Sequence, residues 1–270
     1  MLRVGVVGCG AIGSIICRAL DKDIEGAKLV AIHEHHIENI KSLCAELSCK
    51  PKLMKISEMV KEVDLVVESA SAVAVPQAAI AALENGCDVM IMSVGALVDG
   101  QLLENLVNLA RKHNCKIYLP SGAVAGIDGI KSAASAPIHS VTLTTTKPPR
   151  GLAGAPYVIA NKIDLDAFDK PEVIFDGTAI EAVKAFPANV NVAACISLAG
   201  IGVDKTRVKI VVDPGSTRNR HEIEVIGDFG RFTTEVENIP FPENPRTSYL
   251  AALSAVATLK KIASPLQIGT

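Results

Sequence analysis

Short apolar runs alternate with longer amphipathic segments through the first 120 residues of the chain. The apolar runs cover residues 2–7, 28–32, 64–67, 89–93 and 116–119. The amphipathic segments, which have helical periodicity, cover residues 11–20, 37–47, 75–85 and 101–114. Nearly continuous hydrophobic strands are typical of parallel sheets that are covered on both faces. The alternation therefore predicts a doubly wound parallel sheet with right-handed crossover helices between its strands.

The pattern changes after Pro120. A glycine-rich loop at residues 121–126 precedes a predicted strand at residues 140–146. Pro148 and Pro149 end this strand, because neither proline has an N–H to donate to a sheet. This change in the pattern of hydrophobic and polar residues indicates that a second domain begins near residue 121.

The rest of the chain mixes helices with alternating strands. Residues 179–199 are helical, with an interruption at Pro187. Further strands are predicted at residues 207–212, 221–227 and 231–236, and a last amphipathic helix at residues 245–262. The sequence thus predicts an α/β protein whose doubly wound sheet is followed by a smaller α/β domain built on a mixed open sheet. The expected segments are 1–120, 121–240 and 241–270, the last packing back on the first domain through its helix.

The composition of the chain indicates which kind of molecule it binds. The 270 residues are 49% hydrophobic and 21% charged, and the formal net charge is −2. Such a chain folds as a globule and has no electrostatic drive toward nucleic acid or an anionic membrane. No apolar run approaches the ~20 residues of a membrane span. We therefore expect a small-molecule ligand, and neither a nucleic-acid nor a membrane partner.

The seven cysteines are scattered among apolar stretches, with no Cys-x-x-Cys pair and no signal-peptide pattern. This placement favours reduced thiols in a cytoplasmic protein. Cys44 and Cys49 follow His33, His35 and His36, but the spacing matches no standard zinc site. No metal is expected.

The segment Gly8-Cys9-Gly10-Ala11-Ile12-Gly13 lies between the first predicted strand and the first helix. A dinucleotide needs glycines at this spacing: Gly8 permits the tight turn, Gly10 leaves room for the phosphates, and Gly13 lets helix and strand pack closely. Amides at the helix N-terminus then face the pyrophosphate. A glycine turn that serves only packing is the alternative. Because of its position, we expect this segment to bind a dinucleotide and the first domain to be a Rossmann domain.

Glu34 lies 21 positions after Gly13, at the end of the second predicted strand. A carboxylate here accepts hydrogen bonds from the adenosine ribose and repels a 2′-phosphate, which favours NAD over NADP. Protonated His35 or His36 would soften this preference, so NADP stays possible. A solvated glutamate at a strand end is the alternative.

Two loops after later strands are expected to line the same crevice, since ligands of such sheets bind beyond the carboxyl ends of the strands. Their small side chains let a cofactor pass close to the backbone. The predicted contacts are Ser69, Ala70, Ser93 and Val94.

Among six histidines, His221 is the best acid–base candidate. It opens a strand of the second domain, directly after a polar turn that contains Asp213 and Arg218. The other five lie beside the predicted adenosine pocket, at a helix end, or in a loop. A structural histidine at a strand start is the alternative.

Asn189 and Asn191 follow the break at Pro187, in an otherwise apolar segment. Amides in such surroundings need hydrogen-bond partners. A bound ligand and capping of the following helix are both open explanations.

Six segments together resemble the L-aspartate dehydrogenase family over nearly the whole chain. They are residues 8–13, 120–123, 147–152, 186–194, 217–223 and 243–248. The resemblance implies a Rossmann domain joined to a smaller catalytic domain, a homodimer, and oxidation of L-aspartate with NAD or NADP through iminoaspartate to oxaloacetate and ammonia. Because iminoaspartate feeds NAD biosynthesis, pyridine nucleotide biosynthesis is the expected context.

The resemblance also implies roles for single residues. It makes His221 the active-site histidine and places Ala123 and Asn189 in contact with the cofactor. The two substrate carboxylates need cationic or amide partners. The candidates are Asn191, Lys147, Arg150, Arg218 and Arg220. Where many relatives have Asp followed by Arg, this chain has Glu34-His35, which leaves the coenzyme preference open.

Two other classes are alternatives. A Rossmann reductase similar to dihydrodipicolinate reductase carries a run of histidines before its catalytic lysine, and His35-His36 comes too early in the chain for that run. An enzyme similar to homoserine dehydrogenase belongs to the same class. The other alternative is a nucleotide-sensing protein without catalysis, against which His221 and its polar surroundings argue.

Overall fold

Two compact units make up the chain, and the computed structural model describes residues 1–187, 190–241 and 244–270. The first unit comprises Met1–Gly122 with Ala251–Ile268, and the second comprises Ala123–Leu250 with Gly269–Thr270. Residues 241 and 244–250, which the sequence pattern grouped with the C-terminal segment, fall in the second unit. None of the helices in the described ranges is long and apolar enough to span a bilayer.

Six parallel strands form the sheet of the first unit, in the order β3-β2-β1-β4-β5-β6. They are β1 (Leu2–Val7), β2 (Ala27–His33), β3 (Lys52–Leu53), β4 (Leu65–Glu68), β5 (Asp88–Ile91) and β6 (Ile117–Tyr118). The helices of this unit are α1 (Ala11–Lys22), α2 (Ile37–Glu46), α3 (Ile56–Met59), α4 (Val75–Glu84) and α5 (Gly100–His113). The strand order reverses between β1 and β4, and ligands of doubly wound sheets bind at such a reversal.

The middle of this sheet is fully buried. Val4 and Val6 of β1 and Leu65 and Val67 of β4 are 0% exposed, as expected for strands covered by helices on both faces. Helix α10 (Tyr249–Ala263) adds Ala255 and Leu259 to the same core, which explains why the C-terminal residues group with the first unit. Strand β3 and helix α3 escaped the sequence pattern because elements of two and four residues are too short to show periodicity.

A five-stranded mixed sheet forms the second unit, in the order β11-β10-β7-β9-β8. Its strands are β7 (Ile138–Lys147), β8 (Glu172–Thr178), β9 (Arg207–Val212), β10 (Asn219–Gly227) and β11 (Gly230–Asn238). Strands β7 and β9 are parallel and the other pairs are antiparallel. The unit also contains α6 (Ile127–Ala133), α7 (Pro156–Ala160), α8 (Ala179–Ala185), α9 (Val190–Ala199), β12 (Pro240–Phe241) and β13 (Asn244–Ser248).

One face of the central strand β7 is buried from Val141 to the end of the strand. Val141, Leu143, Thr145 and Lys147 alternate along it and are all 7% exposed or less. The apolar end packs in a core to which the helices of this unit also contribute, including Ile130 of α6. Thr145 and Lys147, at the last two of these positions, are buried polar side chains at the end of that core.

The structure corrects the prediction from the sequence at two elements. Strand β8 was not predicted, since it is an edge strand with an irregular register against β9 that interrupts its alternation. The helix expected from residue 245 begins at Tyr249, because residues 244–248 pair with β12 as β13. For β8, pairing with the distant strand β9 decides the conformation, and local periodicity does not contain that pairing; β13 instead pairs with β12, which lies just before it in the chain.

Candidate active site

Close backbone packing explains two of the glycines after β1. Gly8 has a φ of +90°, and a Cβ on it would lie 2.6 Å from Cα of Ala70. A Cβ on Gly13 would lie 1.9 Å from the carbonyl oxygen of Gly8. A Cβ on Gly10 would meet nothing within 4 Å. The fold itself therefore requires Gly8 and Gly13, whereas Gly10 borders open space of the kind that a phosphate needs to approach the backbone.

The start of α1 is suited to an anion. Its N-cap, Gly10, provides no side-chain cap, and the first turn contains no acidic residue. The first amides of a helix lack partners within the helix and carry the positive end of its dipole. A cavity of about 360 Å³ lies here, lined among others by Gly8, Glu34, Ser69 and Ala70. The amides suit a pyrophosphate and the cavity has room for part of a dinucleotide, for which these residues would form the site.

Glu34 follows β2 at the edge of this cavity. Its Oε2 accepts a hydrogen bond from the N–H of Cys9 at 2.8 Å. Its Oε1 accepts from the N–H groups of His35 and His36, at 2.7 and 2.9 Å. Glu34 thus lines the cavity, where its contact with a ribose stays a prediction, and it also holds the glycine loop to the residues before α2. The spacing in the sequence does not reveal this second role.

The remaining predicted cofactor contacts in the first unit differ in whether the residue lines the cavity or is buried. Ser69 donates its hydroxyl to the carbonyl of Gly8 at 2.8 Å, and Ala70 lines the cavity. Cys9 is 2% exposed, so its thiol is buried, and its N–H donates to Glu34. Val94 is 3% exposed, and its side chain lies in the core.

In the second unit the predicted amide and loop contacts are only partly described. Ala123 is half-buried, and its carbonyl accepts from Nδ2 of Asn238 at 3.0 Å. Asn191 is exposed on α9. Asn189 lies outside the described residues, so its predicted contact with the cofactor stays a prediction.

His221 and Thr145 lie directly opposite each other on β10 and β7, so their side chains share one face of the sheet. His221 Nδ1 and Thr145 Oγ1 are 2.9 Å apart, and His221 is 5% exposed. Burial, and then the charge of Lys147, lowers the pKa of His221 to about 4. The imidazole is therefore neutral near pH 7. When Nδ1–H donates to Thr145, Nε2 carries the lone pair that a general base needs.

Lys147 lies two residues beyond Thr145, on the same face of the sheet. It is 7% exposed, and burial lowers its pKa. In the part of the chain that the structure describes, no hydrogen bond or ion pair reaches its ammonium group. Lys147 borders a cavity of about 230 Å³, together with Leu152 and Phe186. A buried cation without a counter-ion, in apolar surroundings, is suited to bind an anionic ligand.

The three arginine candidates are placed differently. Arg150 is exposed. Arg220 neighbours His221 on β10, so strand alternation turns it to the opposite face, where Glu235 lies 3.9 Å away. Arg218 precedes β10, is 53% exposed, and lies 3.9 Å from Glu237. Of the four candidate cations, Lys147 is the one that shares a face with His221.

The sequence pattern missed Thr145. Four threonines occur in residues 142–146, and nothing local distinguishes them. Strand register decides that Thr145 is the one opposite His221, and a polar residue on an otherwise apolar strand face was the signal available in the sequence. Because register is a long-range property, that signal does not name a partner.

Both halves of the chain match known families. Residues 8–120 match the model described as homoserine dehydrogenase, NAD binding domain, and residues 128–262 match the model described as aspartate dehydrogenase, C-terminal. The chain is 59% identical to the L-aspartate dehydrogenase of Methanosarcina acetivorans and 44% identical to that of Nitrosopumilus maritimus, with 100% of each chain covered. The chain belongs to the L-aspartate dehydrogenase family. The chain is therefore not assigned to the homoserine dehydrogenases, because only the model of their NAD-binding domain matches it, over residues 8–120.

Solved structures share the fold of this L-aspartate dehydrogenase family member. The crystal structure of aspartate dehydrogenase from Thermotoga maritima superposes with a TM-score of 0.74 at 26% identity and covers 100% of both chains. Scyllo-inositol dehydrogenase from Lactobacillus casei gives 0.61 at 17% identity, over 100% of this chain and 91% of that one, which shows a common fold alone. The predicted fold and the predicted class, a Rossmann oxidoreductase with a nicotinamide cofactor, are thereby confirmed.

Proposed function

We propose that the protein oxidises L-aspartate with NAD to iminoaspartate, which hydrolyses to oxaloacetate and ammonia, and that the imine supplies NAD biosynthesis. The observation that carries the proposal is the placement of neutral His221 and cationic Lys147 on one buried sheet face. An amino dicarboxylate needs a cation for a carboxylate and a base for its protons. We also propose that the enzyme acts as a homodimer, as the resemblance implies.

In the proposed reaction the substrate reacts as a neutral amine. The nicotinamide cofactor, when bound, would supply the acceptor for the hydride that leaves Cα, which converts the substrate into an iminium. Water then adds to the iminium carbon while His221 Nε2 accepts a proton from it. The imidazolium returns that proton to the amine of the resulting carbinolamine. As ammonia leaves, the neutral imidazole takes the proton of the carbinol hydroxyl and releases it to solvent, so the ketone of oxaloacetate remains. Lys147 holds one substrate carboxylate throughout.

The test of this function compares substrates. Reduction of NAD is followed at alkaline pH with L-aspartate, L-glutamate, L-alanine and L-homoserine, each over a range of concentrations. We expect reduction that is selective for L-aspartate. Selectivity for L-homoserine would instead support the alternative suggested by the nucleotide-binding segment. Binding of NADH in a titration, without turnover of any amino acid, would indicate a nucleotide sensor.

The Glu34→Ser variant is expected to raise the KM for NAD about tenfold, because a carboxylate bond to the ribose is lost. The KM for NADP should fall relative to that for NAD, since the repulsion of a 2′-phosphate is removed. Initial rates against both coenzymes measure this. Glu38→Ser, an exposed position in the first turn of α2, is the control and should leave both constants unchanged. An unaltered KM for NAD in Glu34→Ser would remove Glu34 from the site.

The Lys147→Met variant is expected to raise the KM for L-aspartate about 10- to 100-fold, because a charge-assisted bond to a carboxylate is lost. Its melting temperature should not fall, since methionine removes a buried cation that burial penalises. The acid limb of kcat/KM should move to higher pH. Lys147 opposes the imidazolium and so lowers the pKa of His221; without it the base is protonated at a higher pH.

Steady-state kinetics between pH 4 and pH 9 check these expectations. Lys209→Met is a matched control, because Lys209 pairs with Thr144 and lies on the opposite face of the sheet. Its KM for L-aspartate should equal that of the wild type. Equal KM values in the Lys147 and Lys209 variants would refute the role of Lys147.

A further inference from the structure

A buried carboxylate ends the central strand β4. Glu68 is 0% exposed and is paired with Val7 of β1 on one side and Ile91 of β5 on the other. A charge at this depth is costly unless its oxygens are hydrogen-bonded, and burial raises the pKa of Glu68. Across the described ranges no cation pairs with it. Groups other than a counter-ion must therefore stabilise this carboxyl.

Four donors from two loops converge on Glu68. Its Oε1 accepts from the N–H of Ala70 at 2.8 Å and from the N–H of Ser71 at 3.0 Å, both in the loop after β4. Ser93, in the loop after β5, donates its hydroxyl to Oε1 and its N–H to Oε2, each at 3.0 Å. One carboxylate thus joins two loops at the C-terminal edge of the sheet. A glutamine cannot accept all four bonds, because its NH₂ group only donates.

The loop that Glu68 holds packs against the glycine loop. Ala70 and Ser71 line the cavity of about 360 Å³. The backbone of Ala70 lies so close to Gly8 that a Cβ on that glycine would be 2.6 Å from Cα of Ala70. Ser69, the next residue after Glu68, donates its hydroxyl to the carbonyl of Gly8. Bonds that converge on Glu68 therefore set the wall of the crevice that faces the glycine loop.

We propose that Glu68 is a positioning residue of the dinucleotide crevice, which fixes the loops after β4 and β5 at the separation from the glycine loop that the cofactor requires. It acts through the backbone of Ala70 and Ser71 and through Ser93. The proposal depends on dinucleotide binding and not on the aspartate reaction.

The experiment measures NADH binding in the full chain by the fluorescence of NADH, with thermal unfolding in parallel. Glu68→Gln is expected to raise the Kd for NADH about tenfold, as the loss of bonds to a charged acceptor implies. The KM for NAD should rise with it, while kcat at saturating NAD changes little. Ser93→Ala removes one of the four donors and should raise the Kd less. Asp21→Asn is the matched control, because Asp21 accepts from the N–H groups of Ser48 and Cys49 near the far end of α1.

Asp21→Asn should lower the melting temperature and leave the Kd for NADH unchanged. If Glu68→Gln behaves in the same way, the carboxylate is only structural and the proposal is overturned. If Glu68→Gln does not fold, Glu68→Asp decides by the same criterion, since it keeps the charge but shortens the reach to the two loops. Weakened NADH binding in these variants would support the proposal even if the wild type fails to oxidise L-aspartate, a result that refutes the proposed function alone.

Discussion

Replacement of His221 by alanine is expected to lower kcat for L-aspartate oxidation by about 10²- to 10⁴-fold, the usual contribution of general acid–base catalysis. The imidazole is buried, neutral near pH 7 and hydrogen-bonded to Thr145, so its loss would remove the proposed proton acceptor for the attacking water. The Kd for NADH should stay unchanged, because the residues proposed to bind the dinucleotide around the glycine loop belong to the other unit. Stopped-flow and steady-state assays, together with an NADH titration, measure the two quantities separately.

His139→Ala is the matched control for this variant. His139 lies near the other end of β7, is 58% exposed, and pairs with Asp228 at 2.8 Å on the surface. Its loss should leave kcat unchanged. Should His221→Ala prove unstable, His221→Gln keeps a polar side chain of similar size and provides the same comparison. Retention of most of the turnover in a folded variant would end the assignment of His221.

Replacement of Gly10 by valine is expected to weaken NADH binding by at least about 100-fold without unfolding the first unit. A Cβ at this position meets nothing within 4 Å, so the fold tolerates it. The added side chain instead projects into the space through which the pyrophosphate reaches the helix amides, and two or more charge-assisted bonds are lost. Titration with NADH and thermal unfolding of the same samples check both halves of this expectation.

Variants at two other glycines serve as comparisons for Gly10→Val. Gly13→Ala should lose both stability and binding, because its Cβ would lie 1.9 Å from the carbonyl oxygen of Gly8, a backbone atom that cannot move alone. Gly100→Ala, at the start of α5 with nothing within 4 Å, should change neither. Normal NADH affinity in Gly10→Val would show that the dinucleotide does not pass over this loop.

The first unit was predictable in detail because its signals are local. Strands buried on both faces are continuous in hydrophobic residues, and the glycine loop has its meaning from the strand before it and the helix after it. The second unit was less predictable. Its edge strand β8 exists through pairing with the distant strand β9. Its short strand β13 pairs with β12 just before it, in a segment that the sequence pattern assigned to the start of the last helix.

In the candidate site, too, some features were predictable from the sequence and others depended on the tertiary structure. The sequence singled out His221 by its place after a polar turn and included Lys147 among four cations that it did not rank. Register on β7 and β10 then placed Thr145 opposite His221, Lys147 on the same face, and Arg220 on the other. Burial gave the two basic groups lowered pKa values, which no motif indicates.

The sequence by itself determined the kind of molecule: a Rossmann domain with a glycine loop, a second α/β domain, and a family resemblance that the comparisons confirm. Tertiary structure alone decided which polar groups act together. Glu68 illustrates the reason. In the sequence it is one acidic residue after a strand, whereas in the fold four donors from loops up to 25 residues away converge on it. Local sequence patterns indicate on which side of a helix or strand a residue lies. Only the packing of distant segments determines which groups that side contacts.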